Sequence, residues 1–479
     1  MRWPPNANIL ILCVLLFLGF ALRLYKFDSP VADWHSWRQA DTSSVSKTFV
    51  QEGFNLLVPR YHDLSNVPSG RYDNPEGFRF VEFPIYNLLQ GGFYKLVGIL
   101  TLEEWGRLVT IFSSLTAAVF LYLIFSERKQ RTLGLTASFF FLFIPFNIYY
   151  ARVILPDMTM VMAVLAATFF FQKWLGQKQF TIYNLQFTIS LISMALALLL
   201  KPYALFFTLP LIYLAYEKFG KDLYKKWPLW IYSTVALTPL FLWRIWMLNF
   251  PEGIPQSVWL LNGNGIRFRP AFFRWIIFER LIKLISGYFG AIIFVAGIFF
   301  LAKRKDKWLI LSFALSSIAY ITVFATGNVQ HDYYQILVMP TVSIFFALGA
   351  IFLFKLKYNK LQFGKVLLLI SMIGLFYFGW REVKDYYNIN NPAIISAGKA
   401  VDRLTPKDAK VIALYNGDTT FLYQTQRRGW ASWQDSLPVM IKKGAEYLAI
   451  VSPNEAELEF ANTYAIVEKT EIYVIYKLK

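Results

Sequence analysis

The sequence predicts a mostly α-helical membrane protein: a polytopic transmembrane bundle of about 11 spans, with outer juxtamembrane helices and a small C-terminal α/β domain. Three observations carry that prediction. The 479-residue chain is 56% hydrophobic and 19% aromatic, more apolar than a soluble chain of this length. Its apolar residues fall in runs near bilayer length, separated by short polar connections. After Trp380 the long runs stop and short alternating segments replace them.

The formal charge of +18 suits a nucleic-acid binder only if the basic residues share one face or tail. Here they sit in short clusters between apolar runs, so membrane lipid is the expected partner and nucleic acid is not. The single cysteine, Cys13, lies inside the first apolar run, which excludes a disulfide framework and a thiolate metal site. Met1 and Arg2 ahead of residues 9–21 have the shape of a signal peptide. No A-x-A-like site follows, and Arg23, Leu24 and Tyr25 lead toward an aromatic interface, so an uncleaved first helix is expected.

Beyond that helix, apolar runs cover residues 108–125, 133–150, 158–175, 182–199, 203–216, 229–247, 286–302, 308–325, 335–354 and 365–380. Lys201-Pro202 divides the shortest pair, where a tight turn or broken helix is expected because proline lacks a backbone donor. Basic clusters set the orientation: Arg128/Lys129/Arg131, Lys173/Lys178, Lys218/Lys221/Lys225/Lys226, Lys303/Arg304/Lys305/Lys307 and Lys355/Lys357/Lys360/Lys365 occupy alternate connections and belong inside. The opposite connections, 151–157, 201–203 and 326–334, hold at most one Lys or Arg each and belong outside. Counting the apolar run 83–100 as a span would reverse every later connection. It is therefore read as a helix lying along or dipping into the outer face, within a long outer loop at 28–107.

A second outer loop, 249–285, is rich in Trp, Phe, Arg and Pro and reads as structure at the lipid boundary. Residues 1–381 thus form the transmembrane domain with both outer loops, and 382–479 an outer-face α/β domain. Strands are expected at 410–415, 446–451 and 472–476. There is no internal repeat or low-complexity tract.

By this parity three polar clusters, 33–42, 152–157 and 331–334, fall on one face. Ionisable groups at a membrane boundary are costly to hold and often mark a site, yet each has a plainer reading. The first cluster combines Asp33, His35, Arg38 and Asp41 with two tryptophans, a base and cation between aromatic walls or an interfacial Trp belt with solvated charges. Asp157 follows Pro156 and is a second acid or an N-cap. Lys201 can face a phosphate or snorkel from a helix end. His331, Asp332, Tyr333 and Tyr334 form an anion site or an aromatic turn. Arg267 and Arg269 meet a phosphate or ordinary lipid headgroups. Asp418, Arg427 and Arg428 are conceivable acceptor contacts on a domain that otherwise caps the fold. With three histidines a His-rich metal site is not expected; paired acids leave a divalent ion open.

In their order these motifs resemble bacterial membrane glycosyltransferases of the GT-C type, in the family of protein O-mannosyltransferases and lipid A aminoarabinose transferases. His35-Ser36-Trp37-Arg38-Gln39-Ala40-Asp41-Thr42 resembles the first-loop motif of one bacterial branch. Glu82-Phe83-Pro84-Ile85-Tyr86-Asn87 is similar to the Pro-aromatic motif of the juxtamembrane helix. Residues 152–157 resemble the second acidic motif, Lys201-Pro202 the Lys-Gly or Lys-Pro turn, and 331–340 the late Tyr-Tyr segment ending in proline.

The resemblance implies a bacterial inner-membrane protein with a cytoplasmic N-terminus and an outer-face active site. It implies a polyprenyl-phosphate sugar donor, a glycan, lipid or protein acceptor, inversion at the anomeric carbon, and a first-loop carboxylate taking the acceptor proton. No cofactor is certain under it, and a divalent metal is compatible with it. Asp41 is then the leading base, with Asp157 and Asp33 as further acidic site residues. Arg38, His35, Glu82, Lys201, Arg267, Arg269, His331, Tyr333 and Tyr334 are donor or phosphate contacts. Two departures stand out. Better-known relatives carry an adjacent Asp-Glu pair that spacing back from Gly53 places nearer Arg38-Gln39 than Asp41, so either Asp33 or Asp41 substitutes for it or the base lies elsewhere. Aminoarabinose transferases tend to have Lys where this chain has Phe83. A lipid or sugar transporter or flippase shares the span number and broken helix, but such proteins favour midplane sites and repeat symmetry. A noncatalytic receptor is a third reading.

Overall fold

The computed structural model describes residues 5–302, 304, 307–357 and 362–479. Met1, Arg2, Lys303, Lys305 and Lys360, which enter the reading above, lie outside the described residues. The chain divides into two compact units. The first comprises Met1–Phe27, Leu108–Trp243 and Ser257–Asp385; the second comprises Asp28–Arg107, Arg244–Gln256 and Tyr386–Lys479.

The first unit is helical, and each apolar run of the sequence coincides with a helix or a helix pair. Among the described residues five helices are long and apolar enough to cross a membrane, or six if the pair Pro270–Ile285 and Gly290–Leu301, bent by 115°, counts as one. Four shorter apolar helices, Ala7–Arg23, Arg131–Phe143, Leu185–Leu200 and Lys307–Val323, accompany them. Proline explains two of the interruptions. Ile144, before Pro145, is extended (φ −59°, ψ 124°), as steric conflict with the proline ring demands, and Asn147 donates its side-chain amide to the Phe141 carbonyl at the break. Lys201 is likewise extended (φ −153°, ψ 122°), and a new helical turn begins at Pro202. Helices Gly290–Leu301 and Met339–Lys355 meet backbone to backbone: a Cβ on Gly297 would lie 2.1 Å from the Phe345 carbonyl, and one on Gly349 1.7 Å from that of Ile293.

The second unit is built on a five-stranded sheet: β1 (Lys410–Leu414), β2 (Arg428–Trp430), β3 (Tyr447–Val451), β4 (Ala465–Lys469) and β5 (Tyr473–Lys477), in the order β2-β1-β3-β5-β4. β1 is parallel to β2 and β3, while β5 is antiparallel to β3 and β4. The strands expected at 410–415, 446–451 and 472–476 are β1, β3 and β5. Alternation sorts their side chains: Val411, Ala413, Ala449 and Ile475 pack with the Pro392–Leu404 helix, and Ile412, Leu448, Ile450 and Val474 with Leu437 and Met440.

The run 83–100 forms the 13-residue helix Ile85–Val97 in this unit. The sheet draws the early loop to itself as well. Leu64 joins the second core, and residues 62–64 bond the edge strand, with Leu64 N donating to Gly429 O (2.7 Å) and Gly429 N to His62 O (3.0 Å). Residue 429 must be glycine, since a Cβ there would lie 1.7 Å from the Val411 carbonyl. The compact unit that carries the C-terminal sheet therefore also takes in 28–107 and 244–256.

Candidate functional site

The helix Ser36–Glu52 has few apolar residues yet is almost wholly buried. Its short hydroxyls permit this by bonding the preceding turn: Thr42 to the Arg38 carbonyl (2.9 Å), Thr48 to that of Ser44 (3.1 Å). The Ile85–Val97 helix is fastened alongside by Asn87, which donates to the Thr42 carbonyl (2.6 Å), and by Gln90, which accepts from Ser46 (2.8 Å). A polar helix is thereby held rigid in an interior where its charges must be paired.

Two ion pairs result. Arg79 donates to Asp41 Oδ2 (2.6 Å), with only 10% and 5% of these side chains exposed. Arg38 Nη2 donates to both oxygens of Glu82 (2.6 and 2.9 Å), a pair equally buried. Together with Thr42 and Asn87 they line a small, partly open pocket. Thr419 donates its hydroxyl to Asp41 Oδ1 (2.7 Å), so each carboxylate oxygen carries one bond. A carboxylate can accept about four, which leaves Asp41 capacity for a substrate hydroxyl.

Around this cluster the fold buries further titratable groups. His62 Nε2 faces the Thr419 carbonyl (3.2 Å), and burial lowers its pKa to about 4. Burial raises Asp63 to about 6, against bonds from Ser65 and Tyr61 that favour its ionised form. Asp418 is also raised by burial, although it accepts from Thr420 N (2.7 Å). Asp33 accepts from the Gln39 side-chain amide (2.6 Å). His35 occupies the left-handed residue that starts the helix (φ 54°), its ring against Trp34.

The remaining predicted residues belong to the first unit. Asp157 is the first residue of its helix, with Pro156 in the capping position, and lies fully buried 3.5 Å from Lys201 Nζ. Lys201 is 7% exposed, so it is paired inside the protein rather than extended toward solvent. His331 stacks on Tyr333 and Tyr334, and Asp332 accepts from the Tyr150 hydroxyl. Arg267 donates to the Val323 carbonyl (2.9 Å), and Arg269 is exposed. Back in the second unit, Arg427 directs its guanidinium to Asp402, Thr405 and Pro406, the pattern of a strut, and Arg428 pairs with Glu52 (2.7 Å). Among the described residues no group of three or more His, Cys, Asp or Glu is placed to hold a metal ion.

Arg79, Thr419 and His62 are absent from the sequence reading. Arg79 was within reach of it: an arginine three residues ahead of Glu82, at the edge of the motif, is a natural partner for a buried acid. Thr419 and His62 carry no local signal.

Comparison with known proteins agrees with this architecture. Residues 81–246 match the family model described as dolichyl-phosphate-mannose-protein mannosyltransferase. Similarity to ArnT from Cupriavidus metallidurans bound to undecaprenyl phosphate has a TM-score of 0.69 at 12% identity, covering 99% of this chain and 98% of that one. The same protein in its apo state gives 0.65 at 14% identity, over 98% and 97% of the two chains. The archaeal oligosaccharyltransferase AglB from Archaeoglobus fulgidus, with an inhibitory peptide and a dolichol-phosphate, gives 0.61 at 12% identity, over 95% of this chain and 70% of that one. No curated protein matches in sequence. The chain thus has the fold of these solved structures, and its residues 81–246 resemble the dolichyl-phosphate-mannose-protein mannosyltransferase family in sequence.

Proposed function

We propose that this chain transfers a sugar from a polyprenyl-phosphate donor to an acceptor hydroxyl on a glycan, lipid or protein, with inversion at the anomeric carbon. The observation that carries the proposal is the Asp41 carboxylate, buried, oriented by Arg79 and Thr419, and lining a pocket with a second arginine. The fold supports it, since a solved protein of this architecture holds undecaprenyl phosphate and another a dolichol-phosphate.

In the proposed step the acceptor hydroxyl gives its proton to Asp41 as its oxygen bonds to the anomeric carbon. The bond from that carbon to the phosphate oxygen breaks, and the electron pair leaves with polyprenyl phosphate. Phosphate departs without a strong general acid, so one base and nearby cations suffice. Arg38 and Arg79 line the pocket and supply guanidinium donors, which suit phosphate oxygens. In the first unit, Lys201 beside Asp157 is proposed as a donor contact through its ammonium group. The basic clusters on alternate connections support an inner-membrane orientation with this chemistry on the outer face.

The test is to supply the purified chain in lipid with a panel of polyprenyl-phosphate sugars and a cell-envelope acceptor extract. Protein-dependent release of polyprenyl phosphate with inverted, labelled acceptor is the expected result. Folded protein that binds lipid but releases nothing across the panel overturns the proposal.

A further inference from the structure

The five-stranded sheet has its crossover at β1, whose parallel neighbours β2 and β3 lie on opposite sides. In open α/β sheets the carboxyl end of such a strand is where ligands commonly bind. Here the loop that leaves this end turns through Asn416 (φ 53°) and Gly417 (φ 79°) and seats on the Ser36–Glu52 helix. Thr419 Oγ1 donates to Asp41 Oδ1 (2.7 Å), and Thr420 Oγ1 lies 3.0 Å from Ser36 Oγ. The Trp37 carbonyl, 3.3 Å from the Thr419 hydroxyl, is the longer alternative acceptor for its single proton.

The loop is fixed from its other side. The Thr419 carbonyl can only accept, so His62 must carry its proton on Nε2 to bond it at 3.2 Å. His62 Nδ1 is buried and has no hydrogen-bond partner among the described residues. That cost is tolerated at a ring whose visible service is to hold one backbone carbonyl. Asp418 completes the turn by accepting from Thr420 N.

We infer that Thr419 is a positioning residue supplied by the C-terminal sheet, whose hydroxyl fixes the rotamer and the open lone pairs of the Asp41 carboxylate. The C-terminal sheet is thereby a working part of the site. The inference rests on the proposed role of Asp41 as the base.

Thr419→Val keeps the shape of the side chain and removes its proton; Thr419→Ser keeps the proton. Both are measured beside Asp41→Asn in polyprenyl-phosphate release from the lipid-linked donor, with thermal unfolding to confirm folding. The expected result is a kcat about ten- to a hundredfold lower in Thr419→Val, the range for one hydrogen bond to a charged group. KM for the donor stays within about twofold because the missing bond concerns the base and not uniform binding. Thr419→Ser restores most of the rate. Wild-type turnover in Thr419→Val, or a Thr419→Ser variant as slow as it, overturns the inference. If Asp41→Asn is inactive while Thr419→Val turns over normally, only the positioning role fails. Normal turnover by Asp41→Asn removes the base reading itself.

Discussion

Arg79→Met removes the cation beside Asp41 while keeping an unbranched apolar stem of similar reach. The Arg79–Asp41 bond is 2.6 Å long between side chains 10% and 5% exposed, so little solvent screening weakens it. A hydrogen bond to a charged partner contributes about 1.5–3 kcal/mol. The Arg79 guanidinium also lies 4.9 Å from the centre of the Tyr61 ring, a cation–π contact that adds about 0.5–1 kcal/mol. Leaving a buried carboxylate without its cation costs more still, and methionine's packing offsets part of the loss, so about 3 kcal/mol is expected. At about 2–4 °C per kcal/mol for a unit of this size, melting falls by about 6–12 °C.

Tryptophan fluorescence during heating in detergent measures this. Unfolding of a two-unit chain is not two-state, so the informative quantity is the difference between variants. Asn at position 41 needs no cation, and the double variant Asp41→Asn/Arg79→Met should therefore melt above Arg79→Met alone. An Arg79→Met protein that melts within about 1 °C of wild type, or losses that simply add in the double variant, would refute the buried pair as an organising element.

Three further outcomes are expected. Asp41→Asn keeps its bound lipid and lowers turnover by about 10²–10⁴, the contribution of a general base, as read from polyprenyl-phosphate release; near-normal release by a folded variant speaks against the role. His62 and Asp63 should give stability slopes of opposite sign. Burial lowers His62 from 6.5 to about 4, so between those values the unfolded state binds the extra proton and stability rises with pH. Burial raises Asp63 from 3.8 to about 6, so there the folded state holds the proton and stability falls with pH. Each slope reaches about 1.4 kcal/mol per pH unit; Asp63→Asn should uncover the rise and His62→Gln the fall, and denaturant melts from pH 4 to 6.5 that change alike in both variants contradict this. Finally, Lys201→Gln leaves the buried Asp157 carboxylate without its cation and should lower both melting temperature and turnover. Adding Asp157→Asn should recover stability and not turnover, and a double variant melting below the single one counts against the pair.

Hydropathy made the membrane helices legible because a bilayer imposes length and apolarity directly on the sequence. The runs from 108–125 to 365–380 all coincide with helices, and Pro145 and Pro202 break them where proline chemistry requires. The separate status of 83–100 came from charge parity and corresponds to the Ile85–Val97 helix. The Ser36–Glu52 helix was harder to see. Its burial rests on hydroxyls bonding their own backbone, and a run such as Thr42-Ser43-Ser44-Val45-Ser46 looks exposed to any scale that assumes polar means wet. Arg38 and Glu82, singled out separately, prove to be partners across 44 residues, whereas Asp33 turns to Gln39. Thr419 reaches Asp41 across 378 residues of chain, and nothing in either segment announces the other. The pairing of residues 62–64 with β2 has the same character, and it is why the sheet gathers the early loop into its own unit.

The most direct test of sugar transfer is a parallel single-turnover reaction of the wild-type chain and Asp41→Asn, reconstituted in lipid with a labelled polyprenyl-phosphate sugar and acceptor extract. Release of polyprenyl phosphate matched by label in the acceptor, from the wild type and not from the folded, lipid-bound variant, is the predicted result. Equal release from both, or release from neither across the donor panel, contradicts it.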